Sequence, residues 1–545
     1  MNSWSKQTSP ERLALWALVL AALAVRLGLA WQPLERLLVM TVSDDMFYYL
    51  KLAQNWVAGL GVTFDGQNPT NGFHPLFFLA AAALFKAGAG QEAAVHLLLM
   101  VSSLCGLGTA WLIRHLVLRI TNEAFLGLLG FALYAFNPFA LALEFNGLET
   151  ALYGMLLMAT LVAYLDVRQQ PAVRWPRWLG VGALAGLTFL ARTEGIFLPA
   201  VMVLDFAWLA LRKRLPAGHW QGLGLGLLAG LAVASPWLIW NLAQFGTIEQ
   251  ASGKIFPLRA QLILERTLGR LPGLGDHVQS ALRSLAWNIY ILASMLLGIP
   301  YTASKRVVLF FAVVPALAAG YLLGRGRGQK QAGRAMDSLA PALGYIALLF
   351  AYYSFYHRAS HWRYFYSLLL VLIPTGAALL AGWKDSLGAT AFRRFAGLGA
   401  LVVYLLAASW ILIVREPSFP HQARMAQAAH WMKQNLPGEA RIGAFNAGIM
   451  GYFSGRRVVN LDGVVNNAMP EVIINRRLDG YIQSEHLTHV CDSPEAVELY
   501  FRLFAEHPPQ DLLVEEQVFG DPVHAPGQAV SVYRIKQDQP AAGGQ

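Results

Sequence analysis

Residues 13–31 read Leu-Ala-Leu-Trp-Ala-Leu-Val-Leu-Ala-Ala-Leu-Ala-Val-Arg-Leu-Gly-Leu-Ala-Trp, with Arg26 as the one charge. A run of this length matches the ~20 apolar residues that an α-helix needs to cross a bilayer. Runs of the same kind recur as far as Val414, after which the composition turns abruptly into that of a water-soluble domain. Over all 545 residues, 56% are hydrophobic and 14% charged, and the mean hydropathy is +0.44. The solvent of such a chain is largely lipid. The expected fold is a polytopic α-helical membrane protein with a small C-terminal α/β domain. Lys6 and Arg12 precede the first run, which is long for a signal-peptide core and shows no small-residue cleavage site, so it is expected to be a retained anchor.

The net charge of +10 does not point to nucleic acid, because the basic residues gather in short loops between apolar runs. These clusters are Arg114 with Arg119; Arg168 with Arg174 and Arg177; Arg212, Lys213 and Arg214; Arg325 to Arg334; and Lys384 with Arg393 and Arg394. The positive-inside bias places them in the cytoplasm. With the N-terminus also inside, about eleven crossings result if 75–87 and 285–301 do not span; about thirteen is the alternative. Either odd count puts the tail outside. The expected organisation is a membrane region 1–415 with a first outer loop 42–75, a soluble domain 416–536 and a disordered end 537–545. Cys105 and Cys491 cannot make a disulfide framework or a cysteine metal site. Gly253-Lys254 lacks the upstream glycine and the following Ser or Thr of a Walker loop, so no nucleotide cofactor is expected.

In the first outer loop, Met46, Tyr49, Leu50, Ala53, Trp56 and Val57 recur at helical spacing, with Ser43 able to cap the start and Gly59 the end. This predicts an amphipathic helix on the membrane surface, carrying Asp44 and Asp45 in its first turn. In the tail a helix is expected at 422–435 and strands at 441–445, 458–461, 511–514 and 530–535.

Polar residues at the outer ends of the runs are Asp44, Asp45, Asn71, His74, Glu144, Glu149, Arg192, Glu194, Lys254, His357, His361 and Arg363. Ionisable groups at a membrane boundary are costly unless paired or wetted, so several on one side imply a polar outer cavity. Adjacent carboxylates beside Phe47, Tyr48 and Tyr49 suit a general base or a divalent cation; acids in a first turn also simply complement the helix dipole. Asn146 to Glu149 also reads as a capping box, and Arg192 with Glu194 as a paired tight turn. Lys254, Arg192, His361 and Arg363 can hold a phosphate; snorkelling cations are the alternative. His74 also fits an ordinary loop histidine. The glycines from Gly222 to Gly230 read as close helix packing.

The Asp-Asp pair after the first run, Thr70-Asn71-Gly72-Phe73-His74-Pro75-Leu76, Gly147 to Tyr153 and Arg192 to Gly195 resemble the GT-C superfamily of membrane glycosyltransferases. Arabinofuranosyltransferase-like proteins are the nearest in pattern, with protein O-mannosyltransferases and aminoarabinose transferases further off. Gly448 to Phe453 and Asn460-Leu461-Asp462-Gly463 resemble the tails of such proteins. The resemblance implies transfer of a hexosyl or pentosyl group from a polyprenyl-phosphate donor to a glycan, lipid or protein acceptor. It also implies a bacterial inner membrane enzyme with its site and tail on the periplasmic or extracellular face. By this resemblance Asp44 is the base, with Asp45 beside it; Tyr48, Asn71, His74, Glu144, Glu149 and Glu194 are the candidates for the acceptor side or cavity lining from their place at the outer ends. The rival classes are a lipid or polysaccharide transporter, whose ionisable groups would sit near the midplane on repeated halves, and a noncatalytic envelope-assembly subunit.

Overall fold

The computed structural model describes residues 9–170, 174–214, 218–297, 329–358, 361–381, 391–415, 417–522 and 524–536. Residues 325–328, Lys384 and the 537–545 end lie outside them, as do residues 298–301 of the 285–301 stretch. The first helices are α1 (Ser9–Ala30), α2 (Leu34–Met40), α3 (Asp45–Val57), α4 (Pro75–Lys86), α5 (Gln91–Thr121), α6 (Ala124–Ala135) and α7 (Pro138–Glu144). They are followed by α8 (Thr150–Arg168), α9 (Trp175–Ala191), α10 (Phe197–Leu211), α11 (His219–Phe245), α12 (Ala251–Leu268) and α13 (Leu274–Leu297). Among the described residues, eight helical stretches are long and apolar enough to cross a membrane, or nine if the α6–α7 pair, bent by 54°, is one span. Leu13, Leu20, Leu204, Leu211 and Leu228 are exposed on these helices, a cost in water that vanishes in lipid.

The α6–α7 bend has a local cause. Pro138 cannot continue a preceding helix, and Asn137 restarts one by accepting the Phe139 and Ala140 N–H groups at 2.9 and 3.1 Å. Arg26 then fixes the bend. Its guanidinium grips Glu144 with two bonds of 2.9 Å, both side chains fully buried, and also donates to the Ala135 carbonyl.

The glycine reading holds where α9 meets α11. A Cβ on Gly182 would lie 1.8 Å from the Gly226 carbonyl oxygen, and one on Gly186 would lie 2.6 Å from that of Gly230. Small residues permit this backbone contact. Gly182→Ala is therefore expected to cost more than the roughly 1–3 kcal/mol of ordinary overpacking, because no rotamer relieves a clash with backbone. Gly180→Ala, with open space around it, should be neutral. Melting temperatures of the two variants in detergent check this; equal values would refute it.

In the tail, the helix Gln422–Asn435 forms with the expected bounds. Strands β1 (Arg441–Ala444), β2 (Arg457–Asn460), β3 (His489–Asp492), β4 (Leu513–Phe519) and β5 (Val530–Ile535) make one mixed sheet in the order β2-β1-β3-β5-β4. β1 runs parallel to β2 and β3, and β5 antiparallel to β3 and β4. β3 went unforeseen: it is four residues long and buried throughout, so it shows no alternation.

The first loop departs from expectation more deeply. α3 does not lie on a surface with a wet face, since Met46, Phe47, Tyr48, Tyr49, Leu50, Leu52, Ala53 and Asn55 are all buried. α4 covers one side of it, and the tail helix Gly448–Phe453 covers another. Phe47 packs on Tyr452 and Phe453, and Tyr48 on Phe64. At Gly72 a Cβ would lie 1.7 Å from the Val464 carbonyl oxygen. The tail is thus built onto the loop through a shared core. α4 has twelve residues, about 18 Å of helix, short of the ~30 Å hydrocarbon core.

Candidate active site

A cavity of about 510 Å³ lies where the first loop, the loop-side ends of α8 to α10, α12, the 352–364 segment and the tail converge. Asp45 enters it from the first turn of α3 and meets Arg363, which donates to its Oδ2 at 2.9 Å. Arg363 stands in the turn Trp362–Phe365, capped by His361, whose Nδ1 accepts the Arg363 N–H at 3.2 Å.

Beside this pair, Arg192 is buried between two carboxylates, at 2.7 Å from Glu149 and 2.5 Å from Glu194. The Tyr49 hydroxyl donates to Glu149 at 2.8 Å, and His74 Nε2 stands 3.7 Å from the same carboxylate. Burial would push Glu149 up, but His74, Arg192 and Arg363 together hold it below the usual carboxylate range. Burial lowers His74. It also brings His361 down to about 3, with the Arg363 and Arg192 charges adding to the effect.

The opposite wall comes from α12 and the tail. Arg259 binds Asp462 at 3.0 Å and lies over the Tyr500 ring, and Asn446 lines the same side. Tyr48 is anchored there: its hydroxyl accepts the Ala447 N–H at 3.1 Å.

Several expected site residues stand elsewhere. Asp44 is outside the cavity wall: its two oxygens accept the Gly448 and Ile449 N–H groups, at 3.0 and 2.6 Å, so it ties the loop to the tail. Burial pushes its carboxyl up to about 7 against the pull of the Ile449 amide, and the Asp45 charge adds to the rise. Glu144 is committed to Arg26 and does not reach the cavity. Asn71 is a structural hub, bonded to Asn241, Asn467, the Glu249 carbonyl and the Ala251 amide. Lys254 misses the wall because Ser252, Phe256 and Arg259 share the cavity face of α12, and position 254 points away from it. The capping box at Asn146 does not form: Asn146 caps Leu148 at 2.9 Å, while Glu149 turns inward to Arg192. Among the described residues, no group of three or more His, Cys, Asp or Glu side chains could hold a metal ion.

Residues 73–240 match the family described as dolichyl-phosphate-mannose-protein mannosyltransferase. Residues 414–533 match a domain of unknown function (DUF8728). No curated protein matches the chain. Among solved structures, ArnT from Cupriavidus metallidurans bound to undecaprenyl phosphate superposes with a TM-score of 0.58 at 14% identity, over 97% of this chain and 99% of that one. The Archaeoglobus fulgidus oligosaccharyltransferase in complex with Zn and sulfate gives 0.56 at 13% identity, over 96% and 72%. AglB from the same archaeon, with an inhibitory peptide and a dolichol-phosphate, gives 0.52 at 14%, over 97% and 75%. The chain has the GT-C fold.

In this GT-C frame, the mannosyltransferase-family segment supplies His74, Glu149, Arg192 and Glu194, while Asp45 and the 352–364 segment lie outside it. Sequence reasoning missed Arg259, Asp462, Asn446 and Tyr500 as cavity residues. The spacing of Ser252, Phe256 and Arg259 along one helix face was a usable signal for Arg259. Asp462 stood in the segment Asn460 to Gly463 without a role, and Asn446 and Tyr500 carried no signal, because only the fold brings them to the cavity.

Proposed function

We propose that the chain transfers a sugar, hexosyl or pentosyl, from a polyprenyl-phosphate carrier to an acceptor hydroxyl in this cavity, with Asp45 as the base. The observation that carries the reading is the meeting of Asp45 with Arg363 in one cavity at the loop-side ends of the apolar helices. The acceptor oxygen attacks the anomeric carbon as its proton passes to the Asp45 carboxylate. The bond from that carbon to the phosphate oxygen breaks with its electron pair, and polyprenyl phosphate leaves. Arg363 moves between two anions, holding Asp45 at rest and the leaving phosphate during transfer, while His361 donates from Nε2. Arg192, saturated by Glu149 and Glu194, shapes the wall. No nucleotide is needed, because the lipid phosphate is itself the leaving group. A reconstituted preparation should transfer sugar from a lipid-linked donor; transfer from nucleotide sugars without any lipid would overturn the proposal.

The cavity and tail belong on the non-cytoplasmic face of a bacterial inner membrane in this reading. Support comes from the ends of the helices: α8 to α10 carry Arg168, Arg174, Arg177 and Arg212 to Arg214 at the ends away from the cavity. Cys491 is buried in β3 and is no probe of sidedness. A cysteine placed at the exposed Gln483 should react with an impermeant maleimide in intact spheroplasts; reaction only after permeabilisation would reverse the orientation.

A further inference from the structure

The cavity wall holds five carboxylates, Asp45, Glu149, Glu194, Glu249 and Asp462, against three guanidinium groups. Each of the three arginines is already engaged: Arg363 by Asp45, Arg192 by Glu149 and Glu194, Arg259 by Asp462. Of the three only Arg363 is released to an entering phosphate, as the transfer step requires, and with five carboxylates on the wall further positive charge has to come from a histidine.

Three histidines line the cavity, and their surroundings differ. The Nδ1 of His361 is occupied by the Arg363 N–H, so protonation there would break the cap of the 362–365 turn. His74 already directs its Nε2 at Glu149, 3.7 Å away. His357 is buried at 6% exposure, and its Nδ1 is without a hydrogen-bond partner among the described residues. Its ring packs among Phe256, Tyr352, Tyr353 and Tyr364, with centroids 5.2 to 5.9 Å away.

We propose that His357 grips the lipid phosphate as an imidazolium, taking up its proton as the phosphate enters, so that binding of the carrier consumes one proton. This rests on the polyprenyl-phosphate reading above. The charged groups that face His357 are Glu194, which favours the proton, and Arg363 and Arg192, which oppose it. The neighbouring Arg358 is turned to His277. With the cavity empty, burial first and the two arginines next hold His357 down to about 4, so it is neutral at pH 7. A bound phosphate raises it. Affinity is then fully developed below the empty-cavity value and falls by up to about tenfold per pH unit above it, until the raised value is passed.

The test is calorimetric titration of the full-length protein with undecaprenyl phosphate at pH 7.5, in buffers of different ionisation enthalpy and again across pH 5 to 8. The second ionisation of a phosphate monoester, near pH 6, is common to every variant, so differences between variants isolate the protein's proton. Wild type should take up about one proton more than His357→Gln and lose affinity more steeply as pH rises. His361→Gln should bind more weakly with the wild-type proton count. Should His357→Gln melt early, His357→Asn and the wild-type proton count still decide the question. Binding with equal proton uptake in wild type and the His357 variants would overturn the proposal and leave the donor assignment standing. No binding of undecaprenyl phosphate by any of the proteins would overturn both.

Discussion

Asp45→Asn is expected to lower sugar transfer by about a hundredfold to ten-thousandfold, the usual cost of losing a general base, with the fold intact. Asparagine keeps the shape of Asp45 and a hydrogen-bonding oxygen for Arg363 but cannot take the acceptor proton. Asp44→Asn should act differently, because Asp44 binds the Gly448 and Ile449 amides outside the cavity. It should loosen the tail, visible as faster limited proteolysis of residues 417–536, and reduce turnover only as far as the tail is displaced. This reverses the division of labour expected from the resemblance, which put the base at Asp44. Turnover and proteolysis should be measured on the same preparations. Near-normal transfer by Asp45→Asn would remove the base assignment, and loss of transfer by Asp44→Asn with a firmly docked tail would return the role to Asp44.

The largest loss of stability is expected from Arg26→Met. Both members of the Arg26–Glu144 pair are fully buried, so removing the cation leaves a carboxylate without compensation where α1, α5 and α7 meet. Gly106 on α5 leaves no room for it to move, since a Cβ there would lie 2.2 Å from the Glu144 carboxyl. Breaking one side of a buried pair typically costs about 3–5 kcal/mol, enough to lower the melting temperature in detergent well below that of any cavity variant. Arg26→Met combined with Glu144→Gln should recover most of the loss, since no charge is then stranded. If the double variant melts as low as the single one, the pair holds the α6–α7 bend by geometry and charge is secondary.

Hydropathy and charge placement by themselves determined the membrane class, a short α4 and an α/β tail, because the cost of exposing charge to lipid is paid residue by residue along the chain. Local spacing determined α3 from Met46 to Val57, the helix Gln422–Asn435 and the packing role of the glycines from Gly222 to Gly230, while their partner α9 came from the fold. The short order of Arg192, Thr193 and Glu194 was enough to foresee their ion pair, though not the burial that recruits Glu149 to it.

Only the tertiary structure decided which of two neighbouring acids faces the cavity. Asp44 and Asp45 are alike in type and adjacent in the chain, and what separates them is the start of the 448–453 helix, whose free N–H groups capture the first and leave the second to Arg363. Glu144 and Glu149 part in the same way, one taken by Arg26 and the other by Arg192. Pairing energy depends on distance in space, and partners 43 to 404 residues apart leave no mark on the local sequence of either residue.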